Sequence, residues 1–304
     1  MSELRHVALF YRGRDDYLAS VAGLVHGALD RGEPVFAALP GPQAAMLRGA
    51  LGAGTGGVMF GDMARIGRNP ARIIPALRAF IDRHPGERAC CLGEPAWPGR
   101  ADRELREAAR QEALVNQALA GVSATIVCPY DLAGLPAEVL ADAELTHPVL
   151  TRRGACLPSG AYLGPGAVPP RCDEPLARPP PRALTHHYRA DLHVVRGLVA
   201  AGAERAGLPA DRVLDLVLAA SEVAANTLRH TLSGGTVHVW HTEAEILCQI
   251  DDDGWISDPL AGLVRQADGE AGGQGLWLVN QVCDLVELRT GSAGTTVRMH
   301  MRLP

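Results

Sequence analysis

Positive charge is in short supply in this chain: 29 lysines and arginines stand against 34 aspartates and glutamates, for a formal net charge of -5. Nonspecific nucleic-acid binding needs a basic face to displace phosphate counterions, so direct nucleic-acid contact is not expected. No run of eighteen apolar residues occurs, and Met1-Ser2-Glu3-Leu4-Arg5-His6 lacks the charged start and apolar core of a signal segment. A cytoplasmic protein without membrane contact is the expectation. The seven cysteines, at 90, 91, 128, 156, 172, 248 and 283, are odd in number and irregularly spaced, which argues against both a disulfide framework and a zinc site. The first strand-to-helix turn is Tyr11-Arg12-Gly13-Arg14-Asp15 rather than Gly-x-x-x-x-Gly-Lys-Ser/Thr. P-loop nucleotide binding in this half is therefore excluded.

What is present suffices for two domains. The chain has 304 residues, 47% of them apolar and 21% charged, as expected of globular units that each bury a core. Across residues 1–150, short apolar runs alternate with helical patterns. Strands are expected at Val7–Tyr11, Pro34–Leu39, Gly57–Phe60, Arg88–Gly93 and Ala124–Cys128, with helices at Asp15–Ala28, Gln43–Leu51, Pro70–Arg83 and Arg103–Ala120. This βα alternation predicts a mostly parallel α/β/α sheet domain. Ligands of such sheets lie beyond the carboxyl ends of the strands, where Tyr11, Asp62, Glu94, Trp97, Tyr130 and Asp131 fall. Those residues can form a small-molecule pocket, or they can serve as turn formers and caps.

Residues 151–183 contain Pro158, Pro165, Pro169, Pro170, Pro175 and Pro179-Pro180-Pro181, and read as a semi-rigid connector. A helix at Ala190–Ala206 opens the part that follows, over residues 184–304. The next helix starts near Asp211, with Val213, Leu214, Val217, Ala220, Ala224 and Leu228 as its apolar stripe. Glu222, Asn226 and His230 then share one polar face. A carboxylate one turn from a carboxamide suits a hydrated Mg²⁺ that carries nucleotide phosphates, although a plain solvated face has the same pattern. Paired strands at Val237–Trp240 and Ile246–Ile250 run into Asp251-Asp252-Asp253-Gly254. A carboxylate there can accept hydrogen bonds from an exocyclic amine, and the glycine lets a planar base approach the backbone. Gly272-Gly273-Gln274-Gly275 then opens a helix, where backbone N–H groups can face phosphate. A last strand pair, Leu285–Leu288 and Thr295–Met301, closes the chain.

This succession resembles the ATP-binding domain of the GHKL superfamily, and within it the anti-sigma-factor serine kinases. The resemblance implies a GHKL (Bergerat) α/β sandwich with a mixed, mainly antiparallel sheet. It assigns Mg²⁺ to Asn226 and the catalytic carboxylate to Glu222. The adenine amine falls to Asp252, the pocket floor to Gly254, the phosphate box to Gly273 and Gly275, a nucleotide contact to Leu276, and water-mediated support of adenine to Thr295. Trp255 to Gly272 becomes the candidate lid, with Arg265 within reach of phosphate. In the first half, His6 with Tyr11, Gly61-Asp62-Met63, Arg68-Asn69-Pro70, Gly93-Glu94-Pro95 and Cys128-Pro129-Tyr130-Asp131 resemble the MEDS sensory domain, which implies sensing of a small hydrocarbon-like ligand by a set that includes His6.

The expected function is an ATP- and Mg-dependent signalling regulator of the anti-sigma or serine/threonine-kinase type, controlled by the first domain. Its implied partners are a sigma factor or a STAS-type anti-sigma antagonist, with homodimers common in that family. Two other readings stay open: a non-catalytic, ATP-dependent protein-binding module, and an atypical sensor histidine kinase using His186 or His187.

Overall fold

Strand β1 (Arg5–Tyr11) is buried at six of its seven positions, because it lies inside a sheet that is covered on both faces. The computed structural model describes residues 4–152, 154–265 and 274–304, and the chain divides into two compact units, Met1–Asp173 and Glu174–Pro304. In the first unit β1 is followed by α1 (Gly13–Asp30), β2 (Val35–Leu39), α2 (Gly41–Leu51), β3 (Val58–Asp62), α3 (Met63–Ile66) and α4 (Ile73–Ile81). Then come β4 (Ala89–Gly93), α5 (Asp102–Ala118), β5 (Ala124–Asp131), α6 (Ala137–Thr146), β6 (Val149–Arg152) and β7 (Ala155–Pro158). The described strands form a sheet of order β3-β2-β4-β5-β1-β6-β7. Every pairing is parallel except that of β6 with β7. Parallel strands need helical crossovers, and those helices cover both faces, so β2 and β4 are apolar and buried throughout.

Side-chain alternation divides β1 between two environments. Val7, Leu9 and Tyr11 join Tyr17, Val21, Val25 and Val127 in one core cluster. His6 and Phe10 point the other way, toward Cys128 and Tyr130 of β5.

The first compact unit extends to Asp173, and the proline-rich connector up to that residue packs along it. Its start forms β6 and β7, and further along the backbone N–H groups of Leu163 and Gly166 donate to the carbonyls of Leu145 and Ala113 at 3.0 and 3.2 Å. Arg171 Nε donates to Asp142 Oδ2 at 2.7 Å, and Cys172 is fully buried. Prolines bar a long helix here, but they do not prevent an extended segment from packing its backbone onto a neighbour. Beyond Asp173 the chain belongs to the second unit, where the carbonyl of Glu174 accepts from Arg289 Nε at 3.0 Å.

The second unit contains β8 (Leu184–Tyr188), α7 (Leu192–Arg205), α8 (Ala210–His230), β9 (Gly235–His241), β10 (Glu245–Asp252), α9 (Gln274–Val282), β11 (Leu285–Gly291) and β12 (Gly294–Arg302). Its described strands are ordered β11-β12-β10-β9-β8, antiparallel throughout. His186 and His187 lie in edge strand β8. Helices α7, α8 and α9 bury Val195, Val199, Leu216, Ala220, Ala224 and Val279 against Val237, Val239, Ile246, Ile250, Val297 and Met299. The α8 stripe differs from expectation at one position. Leu214 is 71% exposed, and Leu216, Val223 and Thr227 complete the buried side instead, which keeps the 3.6-residue period.

One backbone position controls the packing of β8 on β9. Gly234 has φ +78°, and a Cβ there would lie 2.0 Å from the Tyr188 carbonyl oxygen. Gly234→Ala is therefore expected to lower the stability of the second unit by about 1–3 kcal/mol, since both φ and the neighbouring backbone oppose a side chain. Urea unfolding measures this, and an unchanged midpoint would show that the turn relaxes freely.

Candidate functional site

The carboxylate of Asp252, at the end of β10, is held from two sides. Thr227 of α8 donates its hydroxyl to Oδ2 at 2.6 Å, and the Gly254 N–H donates to Oδ1 at 2.9 Å. Both oxygens are thereby fixed in direction, and each retains a lone pair for a further donor. Gly254 is required locally: a Cβ there would sit 2.9 Å from Thr231 Cγ2 and 3.0 Å from Asp252 Oδ1. Its carbonyl accepts from Thr295 Oγ1 at 2.9 Å, and Thr295 in turn lies 2.8 Å from Thr290 Oγ1, which accepts from the Ile256 N–H. The Thr295 hydroxyl thus braces the glycine directly.

These residues border a cleft of about 280 Å³ whose lining includes Asn226, His230, Asp252, Gly254, Trp255, Leu276 and Thr295. The walls are largely aliphatic, with Val223, Ile256 and Val297 behind the polar groups, a composition suited to a flat, partly polar ligand. Trp255 stands at this cleft 72% exposed.

Helical spacing on α8 brings Glu222 and Asn226 toward the start of α9. A Cβ on Gly275 would lie 2.8 Å from Glu222 Oε2 and 3.6 Å from Asn226 Nδ2. Only a residue without a side chain lets α9 begin so close to the carboxylate. Asn226 Oδ1 accepts from Arg229 at 2.6 Å, which leaves its second lone pair for another partner. Gly273, and the part of the candidate lid from 266 to 272, lie outside the described residues. Arg265 sits with its guanidinium 5.7 Å from the Trp277 ring centroid.

Asn226, Asp252, Gly254, Leu276 and Thr295 therefore line one cleft, with Glu222 and Gly275 against each other at the α8–α9 junction. Sequence reasoning missed Thr227, the residue that orients Asp252. Its signal was a hydroxyl placed within the buried stripe of an otherwise aliphatic helix face.

In the first unit the seven residues expected to share a pocket are brought together only in part: Tyr11, Glu94 and Asp131 neighbour one another, whereas strand alternation sends His6 and Tyr130 to the opposite face. On one side Tyr11 donates to Glu94 Oε1 at 3.0 Å, with Tyr17 3.5 Å from Oε2 and Gln43 Nε2 3.4 Å from Oε1. On the other, His6 and Tyr130 both neighbour His147, at ring-centroid distances of 4.0 and 5.7 Å. Asp62 caps α3 through the Ala64 N–H, and Asp131 accepts from the Ala133 N–H. Both act as caps and turn formers. Trp97 lies under the Arg100 guanidinium, 4.5 Å away.

An antiparallel five-stranded sheet backed, among the described residues, by three helices makes the second unit an α/β sandwich, with a carboxylate at a strand end and a glycine at a helix start. Residues 184–301 match the family model of the histidine kinase-like ATPase domain, and residues 5–148 match that of the MEDS domain (methanogen/methylotroph, DcmR sensory domain). The chain is thus a MEDS domain joined to a histidine kinase-like ATPase domain. Among solved structures it is similar to the RsbU and RsbW domains of a Mycobacterium tuberculosis protein, at 19% identity and a TM-score of 0.31 over 41% of this chain and 34% of that one. It is also similar to a structure described as an ATPase domain, at 13% identity and a TM-score of 0.32 over 48% of this chain and 68% of that one. No curated protein matches the chain.

Glu94 yields a pH prediction. Burial raises its carboxyl from 4.5 to about 8, against the opposing hydrogen bonds from Tyr11, Tyr17 and Gln43. Between those values the folded state holds a proton that the unfolded state has released, so its contribution to stability falls as pH rises through the window and is gone above it. Urea unfolding of wild type and Glu94→Gln across that range checks the point. The wild type should lose stability relative to the variant toward the alkaline end, whereas parallel profiles would mean that Glu94 ionises normally.

Proposed function

We propose that the second unit binds Mg·ATP in the α8–β10–α9 cleft and transfers the γ-phosphoryl group to a serine or threonine of a partner protein, under control of the MEDS domain. The supporting observation is the doubly held Asp252 in a cleft that Asn226 and Leu276 also line, with Glu222 and Gly275 against each other at the adjoining α8–α9 junction. Asp252 accepts from the adenine amine, while Gly254 and Leu276 flank the base. Asn226 is the residue that holds the metal. Glu222 takes the proton of the acceptor hydroxyl, and the first turn of α9 presents backbone N–H groups to phosphate. ATP supplies the transferable group and Mg²⁺ offsets its charge; the chain's own share is positioning and proton handling. We further propose that the partner is an anti-sigma antagonist or a sigma factor. The ATPase-domain match supports the nucleotide, and the resemblance to anti-sigma kinases supports the partner class.

The experiment compares ATP affinity and phosphoryl transfer in wild type, Glu222→Ala and Asn226→Ala. Loss of the general base is expected to cut transfer by about 10²–10⁴-fold with ATP affinity kept within a few-fold. Asn226→Ala is expected to lose Mg-dependent binding. ATP binding without transfer to any candidate antagonist would convert the proposal into a nucleotide-dependent binding module, and no ATP binding by the wild type would end it.

A further inference from the structure

Below the face of the first sheet that carries Phe10 and Tyr130, four side chains from separate parts of the chain meet in the interior. His6 opens β1, Glu112 lies on α5, Cys128 lies on β5 and His147 follows α6; none is more than 2% exposed. One ligand atom from each lies within 4.8 Å of those of the other three. Glu112 Oε2 is 2.9 Å from His6 Nε2, 3.1 Å from His147 Nε2 and 3.1 Å from Cys128 Sγ, and Sγ is 3.6 Å from His6 Nε2. Ligands about 2.0–2.3 Å from a tetrahedral ion stand roughly 3.3–3.6 Å apart, so small side-chain shifts bring these atoms onto such a polyhedron.

The hydrogen bonds behind the cluster fix its chemistry. Asn116 donates its amide to the Thr146 carbonyl at 2.8 Å, which turns Oδ1 toward His6 Nδ1 at 3.1 Å. His147 Nδ1 is 2.9 Å from the Ala143 carbonyl. Both Nδ1 atoms face acceptors and must donate, so in the neutral rings both Nε2 atoms carry lone pairs toward Glu112. A carboxylate oxygen then faces two further acceptors. His147 Nε2 is buried without a hydrogen bond despite its 3.1 Å approach. Protonating both rings would place two cations with centroids 4.0 Å apart. A single divalent ion satisfies every one of these groups. Outward Nδ1–H bonds to a carbonyl or carboxamide are the arrangement that orients imidazole ligands.

We propose that His6, Glu112, Cys128 and His147 form a buried four-coordinate site for a divalent transition-metal ion of the zinc class. Two imidazoles, one thiolate and one carboxylate form a borderline-soft set that favours such an ion over Mg²⁺ or Ca²⁺. Binding replaces the Cys128 thiol proton, which leaves to solvent, with the metal–sulfur bond. The two anionic ligands then cancel the dipositive charge, leaving a neutral centre inside the sheet domain. The cysteine spacing gave no hint of this, because the cluster draws one cysteine from position 128 and its other ligands from 6, 112 and 147.

The test is titration of the full chain with Co²⁺ alone, without nucleotide, so that its outcome is independent of the ATP site. About one equivalent should produce the visible bands of tetrahedral cobalt and a near-ultraviolet thiolate-to-cobalt band, both removed by Zn²⁺. Cys128→Ser should lose the thiolate band, and His147→Gln should weaken binding by about tenfold or more. Should either variant not fold, metal content of the wild type purified with zinc decides alone, at about one ion per chain. No cobalt absorption and no retained zinc in the wild type, or a thiolate band that survives in Cys128→Ser, overturns the proposal.

Discussion

The pair of hydrogen bonds on Asp252 is the constraint around which the second unit is arranged. A carboxylate at the end of a strand would ordinarily turn to water. Here the Thr227 hydroxyl and the Gly254 N–H hold both oxygens inside the cleft, and charge-assisted bonds of this kind are among the stronger ones in proteins. The arrangement requires α8 to cross β10 at Thr227. That crossing fixes which face of α8 points to the start of α9, and so brings Glu222 and Asn226 to Gly275. Thr295 of β12, Thr290 of β11 and Ile256 in the segment after β10 brace Gly254.

The two units reach their cores by different routes. In the first, parallel strands lie between helices, so a polar group on either face is enclosed and must find a partner. Glu94 finds Tyr11, and His6 Nδ1 finds Asn116. In the second, the antiparallel sheet places aliphatic residues under its helices, while the opposite face of β10 and β12 carries Gln249, Arg298 and His300. Gln249 pairs with Arg298 at 2.8 Å, and His300 with Glu287 and Glu245 at 2.9 and 3.2 Å. Among the described residues no helix is long and apolar enough to cross a membrane.

The sheet classes were legible because parallel strands such as Pro34–Leu39 and Arg88–Gly93 read as unbroken apolar runs, and antiparallel ones such as Ile246–Ile250 alternate. Strand β8 was not, since Leu-Thr-His-His-Tyr reads as a polar turn and pairs only along one edge. Strands β6 and β7 were hidden at the start of a proline-rich stretch. Helix α6 left only a weak pattern in Ala-Glu-Val-Leu-Ala-Asp-Ala-Glu-Leu-Thr. At the candidate site, residues tied to glycine chemistry and helical spacing could be named in advance. Thr227 and the His6–Glu112–Cys128–His147 cluster could not, because their meaning arises from contacts between positions 16 to 141 residues apart.

The central claim is that Asp252 reads an exocyclic amine on a base held over Gly254. Calorimetric titration of the full chain with Mg·ATP and with Mg·GTP tests it most directly, since guanine presents a carbonyl where adenine presents the amine. The account predicts that ATP binds and that GTP binds about tenfold more weakly or worse, a difference of about 1.4 kcal/mol. Equal affinity for the two nucleotides would contradict it.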